Sequence, residues 1–424
     1  MTKVSDNHCD TGQALKPLAD AVANLKAIAI PVATIESVPL KEALTRVLAE
    51  DIISQINVPP ADNSAMDGYA LRAADIVDAI DDVSKFPISQ RICAGESGEA
   101  LEKGTVARIF TGAPIPAGAD AVVMQENCEM QSDGSVMIKG VVKSGMNVRR
   151  VGEDILANST ILNAGQKLRA QDIGLAASVG VAELDVKRRL KVAVFFTGDE
   201  LRNPGEKLKV GQIYNSNRYT LTGLLNSLGC DVIDLGNVED TLEATVNAML
   251  SAANQADLVM TSGGVSVGEE DHIRKALEQI GQLEMWRVNI KPGKPFAYGQ
   301  INQGSKSIPF MGLPGNPVSV FATFCIFARP YILSKQGISD THTHSFKAPS
   351  NFELSGKESR NEYLRVRLEM DETGQSSLSL YPNQSSGVLT SVSWANGFAF
   401  IPANTKIQLG DLVEFTPFSE FSIG

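Results

Sequence analysis

Three acidic clusters follow apolar runs in the middle of the chain: Asp199 and Glu200 in "FFTGDEL", Glu239 and Asp240 in "LGNVEDT", and Glu269, Glu270 and Asp271 in "TSGGVSVGEED". Carboxylate oxygens are hard ligands that suit Mg2+, which usually takes one or two of them and fills its shell with water and phosphate oxygens. Each acid also reads as a helix cap or a favourable charge in a first helical turn. The third cluster is preceded by Gly263 and Gly264, where the backbone can pass close to a ligand, and followed by a helix start whose free N–H groups suit an oxyanion. Positive charge comes from "IKPGKPFAYG", where Lys291 and Lys294 stand on either side of Pro292 and Gly293. A proline-stiffened loop loses little entropy when its lysines clamp an anion, although a rigid surface turn has the same composition. In "GLPGNPVSVF", a helix start accounts for Pro317 but not for Pro314, Gly315 and Asn316 together.

These residues need elements that bring them together. From about Leu190 the chain alternates strand-like and helix-like segments: "KVAVFFTG", "NRYTLTGLLNSLG", "CDVIDLG", "TLEATVNAMLSAAN", "DLVMTSGG", "DHIRKALEQIG", "IPFMGLPG" and "NPVSVFATFCIFARPYILSK". Such alternation predicts right-handed crossovers and a parallel sheet buried on both faces. Its strands all end at one edge, where ligands bind, so the acidic turns, the glycine turn and the "PGNP" turn should converge there. Which acid of each cluster points inward is left open.

Elsewhere the texture differs. The segments "ALKPLADAVANLKAIA" and "LKEALTRVLAEDI" carry helical periodicity. Short β-rich pieces broken by Gly and Pro run from about Ile53 to Asp154, which predicts a small inserted β domain. "RAQDIGLAASVG" is expected to pack back on the early helices, and short strands return from about Phe346. Within the β-rich stretch, "PPADNSAMDGYAL" gathers Asp62, Asn63, Ser64 and Asp67, and "IFTGAPIPAGADAVV" holds Thr111 and Gly112. Both read either as Asx-rich turns or as parts of a site.

At 424 residues the chain is too long for one ordinary core. Its 43% hydrophobic and 21% charged residues are those of a soluble globular protein, with no apolar run near the roughly 20 residues that a membrane helix needs. The polar start "MTKVSDNHCDTGQ" predicts a cytoplasmic location. A net charge of −11 repels nucleic acid and anionic membranes, so an anionic substrate must meet a local basic patch. The five cysteines form no CxxC pair, which points away from a zinc site. His342 and His344 stand in an expected linker, and His272 is read as a helix-surface residue.

Taken in order, "DNSAMDGYA", "TGAPIPAGADAVV", "GEDI", "FFTGDEL", "SGGVSVGEEDH", "IKPGKPFAYG" and "GLPGNPVSV" resemble the MoeA family of molybdopterin molybdenumtransferases, a pattern shared with gephyrin-type E domains. The resemblance runs from about Leu40 to Leu333 and is looser beyond. It implies a multidomain α/β plus β fold: a doubly wound parallel α/β domain of molybdopterin-binding type at 187–338, an inserted small β domain at 53–154, a helical linking domain from 15–52 and 155–186, and a C-terminal β barrel at 339–424. The implied activity is insertion of molybdenum from molybdate into adenylated molybdopterin with release of AMP. The attacking group, water or an oxygen of molybdate, is left open. The implied cofactor is Mg2+, held by Glu200, Asp240 and Asp271, which with Asp67, Thr111 and Lys291 form the implied catalytic set. The resemblance assigns substrate contacts to Asp154, Gly263, Gly264, Ser266, Arg287, Lys294, Pro295, Pro314, Gly315, Asn316, Pro317, Ser319, Arg360, Ser385 and Ser386. Arg287 stands where the family often has lysine. A homodimer is implied, with Asp67 and Thr111 reaching into the partner's cleft, and with transient contacts to the adenylyltransferase and to molybdoenzyme chaperones. Two rival readings are a dimeric scaffold binding a partner peptide, as in gephyrin E, and molybdopterin adenylyltransferase.

Overall fold

The structure is a computed structural model that describes residues 18–76, 83–264, 272–293 and 295–421, without the side chains of Val83, Met285, Trp286, Arg287 and Pro295. The chain forms two compact units, the described parts of Met1–Glu36, Thr45–Val47 and Lys187–Gly424, and of Ser37–Leu44 and Leu48–Val186.

The first unit is built on a six-stranded sheet. Its strands are β1 (Lys191–Thr197), β2 (Asp231–Val238), β3 (Leu258–Ser262), β4 (Gly281–Arg287), β5 (Pro295–Gln303) and β6 (Lys306–Leu313), in the spatial order β2-β1-β3-β6-β5-β4. The first four in that order are parallel, as expected. β5 pairs antiparallel with both β6 and β4, so an antiparallel hairpin extends a sheet that sequence reading takes as wholly parallel. In β1, Val192, Val194 and Phe196 enter one core while Ala193 and Phe195 enter another. That alternation is the period-two consequence of burial on both faces. The first face is covered by α1 (Leu18–Ile28), α2 (Ser216–Ser227) and a long helix made of α5 (Pro317–Thr323), a π-helical turn (Phe324–Ala328) and α6 (Arg329–Lys335). α3 (Leu242–Gln255) and α4 (His272–Ile280) cover the second, and His272 opens α4 half-buried.

The helix Pro317–Lys335 is the one described helix long and apolar enough to cross a membrane; 83% of its apolar window is buried. It therefore reads as a core helix. A C-terminal β domain follows, with strands Phe346–Pro349, Asn361–Met370, Ser376–Leu380, Gly397–Ile401 and Leu412–Pro417 around Leu364, Val366, Ala399 and Phe415. The short strand Ile290–Lys291, from the loop between β4 and β5, adds in parallel to Asn361–Met370.

The second unit holds a six-stranded sheet in the order Ala121–Met124, Gly68–Leu71, Val106–Ile109, Val83–Ile92, Ser135–Lys139 and Cys128–Met130. In its second core the helix Ala170–Ser178 brings Ala176 against Val38, Ala43 and Leu48. One helix expectation is corrected here. "LKEALTRVLAEDI" is a short 3-10 turn, Leu40–Glu42, followed by the two-residue strands Val47–Leu48 and Ile52–Ile53. Thr45 sits at φ 66°, a left-handed conformation that ends a right-handed helix. The Leu48 and Ala49 N–H groups then donate to Gln166 and Asp185 carbonyls instead of to a helical ladder.

Candidate functional site

The parallel strands end at one edge, and β4 runs in the same sense as β6, so the loop between β4 and β5 opens at that edge too. Together with turns of the C-terminal β domain, these ends line a cleft of about 740 Å3.

After β1 the cleft wall is Thr197, Gly198 and Glu200. Gly198 has φ 147°, and a Cβ placed there would lie 2.7 Å from the Glu200 Oε2, so the carboxylate is folded back over the glycine. The turn is fixed behind by Ile213 N–H donating to the Glu200 carbonyl at 2.9 Å and by Arg202 donating to the Asp199 carbonyl at 3.0 Å. After β2 the wall residue is Asp240, just before Thr241, whose hydroxyl caps α3 by accepting from Ala244 N–H at 3.2 Å. Glu200 and Asp240, not Asp199 and Glu239, are thus the members that line the cleft. After β3, Gly263 and Gly264 take φ 92° and 64°, and a Cβ on Gly264 would lie 2.7 Å from Ile273 Cγ1. Here the close approach itself requires glycine.

Pro314, Gly315 and Asn316 follow β6 into the wall, Pro317 occupies the first turn of α5, and the buried Ser319 also lines the cleft. Asn217 of α2 donates to the Gly315 carbonyl at 2.7 Å, which anchors that turn. The C-terminal β domain contributes Arg360, Ser385 and Ser386. Ser386 accepts through its carbonyl from the Val318 N–H at 3.0 Å, satisfying one of the donors left open at a helix start.

Lys291 lines the cleft but is not a free clamp. Its ammonium donates to Glu358 Oε2 at 2.8 Å and lies 3.1 Å from Glu362 Oε1. Arg360 Nε stands 3.2 Å from the other Glu358 oxygen. Burial pulls the Lys291 pKa down, but the two carboxylates outweigh it and the pKa lies above its ordinary value. The Lys291 ammonium holds Glu358 below the usual carboxylate range.

Several expected residues fall elsewhere. Ser266, Asp271 and Lys294, and the side chains of Arg287 and Pro295, lie outside the described residues. Asp67, Thr111 and Asp154 belong to the other compact unit. There, Asp67 Oδ1 accepts from Thr111 N–H at 2.8 Å and from its hydroxyl at 2.7 Å, which together hold the carboxyl below its ordinary pKa. Asp154 is exposed in a turn closed by its N–H donating to the Val58 carbonyl at 3.0 Å. Among the described residues no group of three or more His, Cys, Asp or Glu is placed to hold a metal ion. Sequence reading missed Glu358, Glu362 and Gln384. The alternation of Glu358, Arg360 and Glu362 in "KESRNEYLRV" was the available signal.

An open α/β sheet whose edge loops present carboxylates, glycine turns and cations to one cleft defines a protein that handles an anionic, phosphate-bearing ligand. Comparison with known proteins gives the family. The MoeA N-terminal region (domain I and II) matches residues 16–180, a probable molybdopterin binding domain matches 193–334, and the MoeA C-terminal region (domain IV) matches 347–418. The chain is 39% identical over 387 residues to the molybdopterin molybdenumtransferase of Haemophilus influenzae, covering 91% of this chain and 94% of that one. It is 35% identical to molybdopterin molybdenumtransferase 2 of Mycobacterium tuberculosis, covering 89% and 95%. The solved molybdopterin biosynthesis MoeA protein of Pyrococcus horikoshii OT3 superposes with a TM-score of 0.81 at 29% identity, covering 95% of this chain and 100% of that one. The chain belongs to the MoeA family.

Proposed function

We propose that this chain inserts molybdenum from molybdate into adenylated molybdopterin, releasing AMP. The observation that carries the reading is the single cleft in which Glu200, Asp240, Lys291, Arg360 and the Gly263–Gly264 turn meet. Molybdate is a dianion and the adenylated pterin carries a pyrophosphate, so bringing them together costs Coulomb repulsion that only local positive charge offsets. Lys291 and Arg360 supply that charge, and Ser319 in the first turn of α5 lines the same space.

Glu200 and Asp240 are a donor set that fits Mg2+, which needs no more than one or two carboxylates when water and phosphate complete its shell. They would hold it, with Asp271 as the further carboxylate, and a bound Mg2+ would supply charge neutralisation at the phosphoanhydride. The chain's own residues do the rest: the glycine turn admits the pyrophosphate, the lysine and arginine orient it, and Ser319, Ser385 and Ser386 offer hydrogen bonds to molybdate oxygens. In this reading the protein works as a cytoplasmic homodimer, and Asp67, Thr111 and Asp154 complete the cleft.

The test mixes purified protein with adenylated molybdopterin, Mg2+ and molybdate. Release of AMP that depends on molybdate is expected. Release of pyrophosphate from ATP would instead identify an adenylyltransferase. Peptide binding with neither reaction would identify a scaffold.

A further inference from the structure

The cation that the cleft offers to an anionic substrate is already occupied. Glu358 bridges two cations with its two oxygens, Oε2 on Lys291 at 2.8 Å and Oε1 toward Arg360 Nε at 3.2 Å. Two oxygens of one tetrahedral oxyanion would engage the pair in the same way. The two glutamates are not equivalent. Glu362 lies within the strand Asn361–Met370, its backbone in register with Lys291, and its side chain is 13% exposed. Glu358 precedes that strand, its side chain is 26% exposed, and its backbone is tied by Asn404 N–H donating to its carbonyl at 2.7 Å. Its backbone is therefore fixed while its side-chain torsions remain free to carry the carboxylate away.

We propose that Glu358 is an internal stand-in for the substrate's oxyanion: it holds Lys291 and Arg360 in position and must be displaced before an anion binds. The inference rests on the anionic-substrate reading above. A tethered carboxylate competes at high effective concentration and lowers the affinity of every incoming anion by one common factor. Monoanions, which have the weaker Coulomb attraction, then fall below useful occupancy, while a dianion such as molybdate or a phosphoryl group stays above it. Glu358 thus sets a charge threshold for entry. It also offsets, beside Glu362, the positive charge that Lys291 and Arg360 bring to the cleft.

Sulfate binding to the full-length chain, measured by calorimetry, tests this without any turnover. Glu358→Gln removes the competing charge, and Glu358→Asp keeps the charge but shortens its reach to Lys291. Both variants are expected to bind sulfate about fivefold more tightly than the unaltered chain, as for loss of one partly exposed ion-pair contact. Lys291→Met should abolish the gain. If Glu358→Asp matches the unaltered chain while Glu358→Gln gains, the effect is only one of long-range field and the displacement idea fails. It fails equally if neither variant gains, or if the gain survives in Lys291→Met. Glu358→Asp gives the reading should Glu358→Gln fold poorly. Absence of molybdate-dependent AMP release in the unaltered chain would overturn the proposed reaction and leave the sulfate result standing.

Discussion

Two glycines at the sheet edge separate activity from stability. At Gly198 an added methyl group would first meet the carboxyl tip of the Glu200 side chain, at 2.7 Å, whereas at Gly264 it would first meet the buried Ile273 at 2.7 Å. The flexible carboxylate can swing away cheaply, but it then leaves its place in the cleft; a packed isoleucine cannot move without disturbing the core. Both positions also have positive φ, where a Cβ costs about 1–3 kcal/mol. Gly198→Ala is therefore expected to lower molybdate-dependent turnover at least about tenfold, on the order of 1.4 kcal/mol of barrier, with a modest loss of melting temperature. Gly264→Ala should lose distinctly more stability, and a pair of melting curves beside a rate assay checks the contrast. Away from the cleft, Asp257 accepts both arms of Arg188, at 2.9 and 3.0 Å, and the Lys191 N–H at 2.9 Å. Burial raises this carboxyl, but Arg188 and the N–H outweigh burial, so its folded pKa lies below the ordinary value. Its contribution is complete above the unfolded carboxylate pKa and fades as pH falls through the folded one. Asp257→Asn should cost about 1–2 kcal/mol at neutral pH, with the gap between the two proteins closing in acid when denaturation is followed as a function of pH.

The element that completes the cleft from the C-terminal side is the loop running from Tyr381 to Ser386, and one residue beneath it holds it up. Arg365 is 1% exposed; its Nε donates to Ser391 Oγ at 3.1 Å and its Nη2 to the Ser385 carbonyl at 3.2 Å. Its backbone exchanges two further bonds with the Gln384 side chain. Burial lowers the pKa of the guanidinium to about 10, so it remains charged at neutral pH. Arg365→Met fills the space but strands two acceptors, which should cost about 1–3 kcal/mol and raise the apparent KM for molybdate more than it lowers kcat, since the loop binds rather than reacts. Equal loss in both parameters would contradict this positioning role. Much of this edge was legible because a buried parallel sheet sends every turn to one side, so acids after "VFF" and "IDLGNV" had to arrive together. The choice of Glu200 over Asp199 was not legible, since it depends on the turn at Gly198. The hairpin of β4 and β5 was missed too. "LKEALTRVLAEDI" has helical spacing, but the left-handed Thr45 and the carbonyls of Gln166 and Asp185 decide otherwise. Least legible was the Lys291–Glu358 pair: its partners are 67 residues apart and meet only because Ile290–Lys291 joins the last domain's sheet.

For the whole molecule, the two compact units carry different parts of the proposed machinery. The first holds Glu200, Asp240 and Lys291 around one cleft; the second holds the Asp67–Thr111 pair at a turn, Asp67 half-buried and Thr111 exposed, with the carboxylate held by two hydrogen bonds. A carboxylate so fixed has given up side-chain freedom in advance, as a group that meets a ligand profits from doing. Yet nothing in the local packing of that turn calls for aspartate. Both bonds come from Thr111, 44 positions away, and end on one oxygen, Oδ1, and the amide oxygen of asparagine can accept them as well. Asp67→Asn should therefore fold normally and still lose turnover. If the second unit serves the cleft of a partner chain, its defect and a Lys291→Met defect lie in different halves of one composite site. Mixing the two inactive variants under conditions that exchange subunits would then pair intact with intact residues in one cleft of each mixed dimer. Recovery toward one quarter of unaltered activity is the expected ceiling, because random exchange makes about half the dimers mixed and each of these has one good cleft of two. Activity that stays at the level of the separate variants, with exchange demonstrated by tagged subunits, would mean that Asp67 serves a cleft on its own chain or none at all.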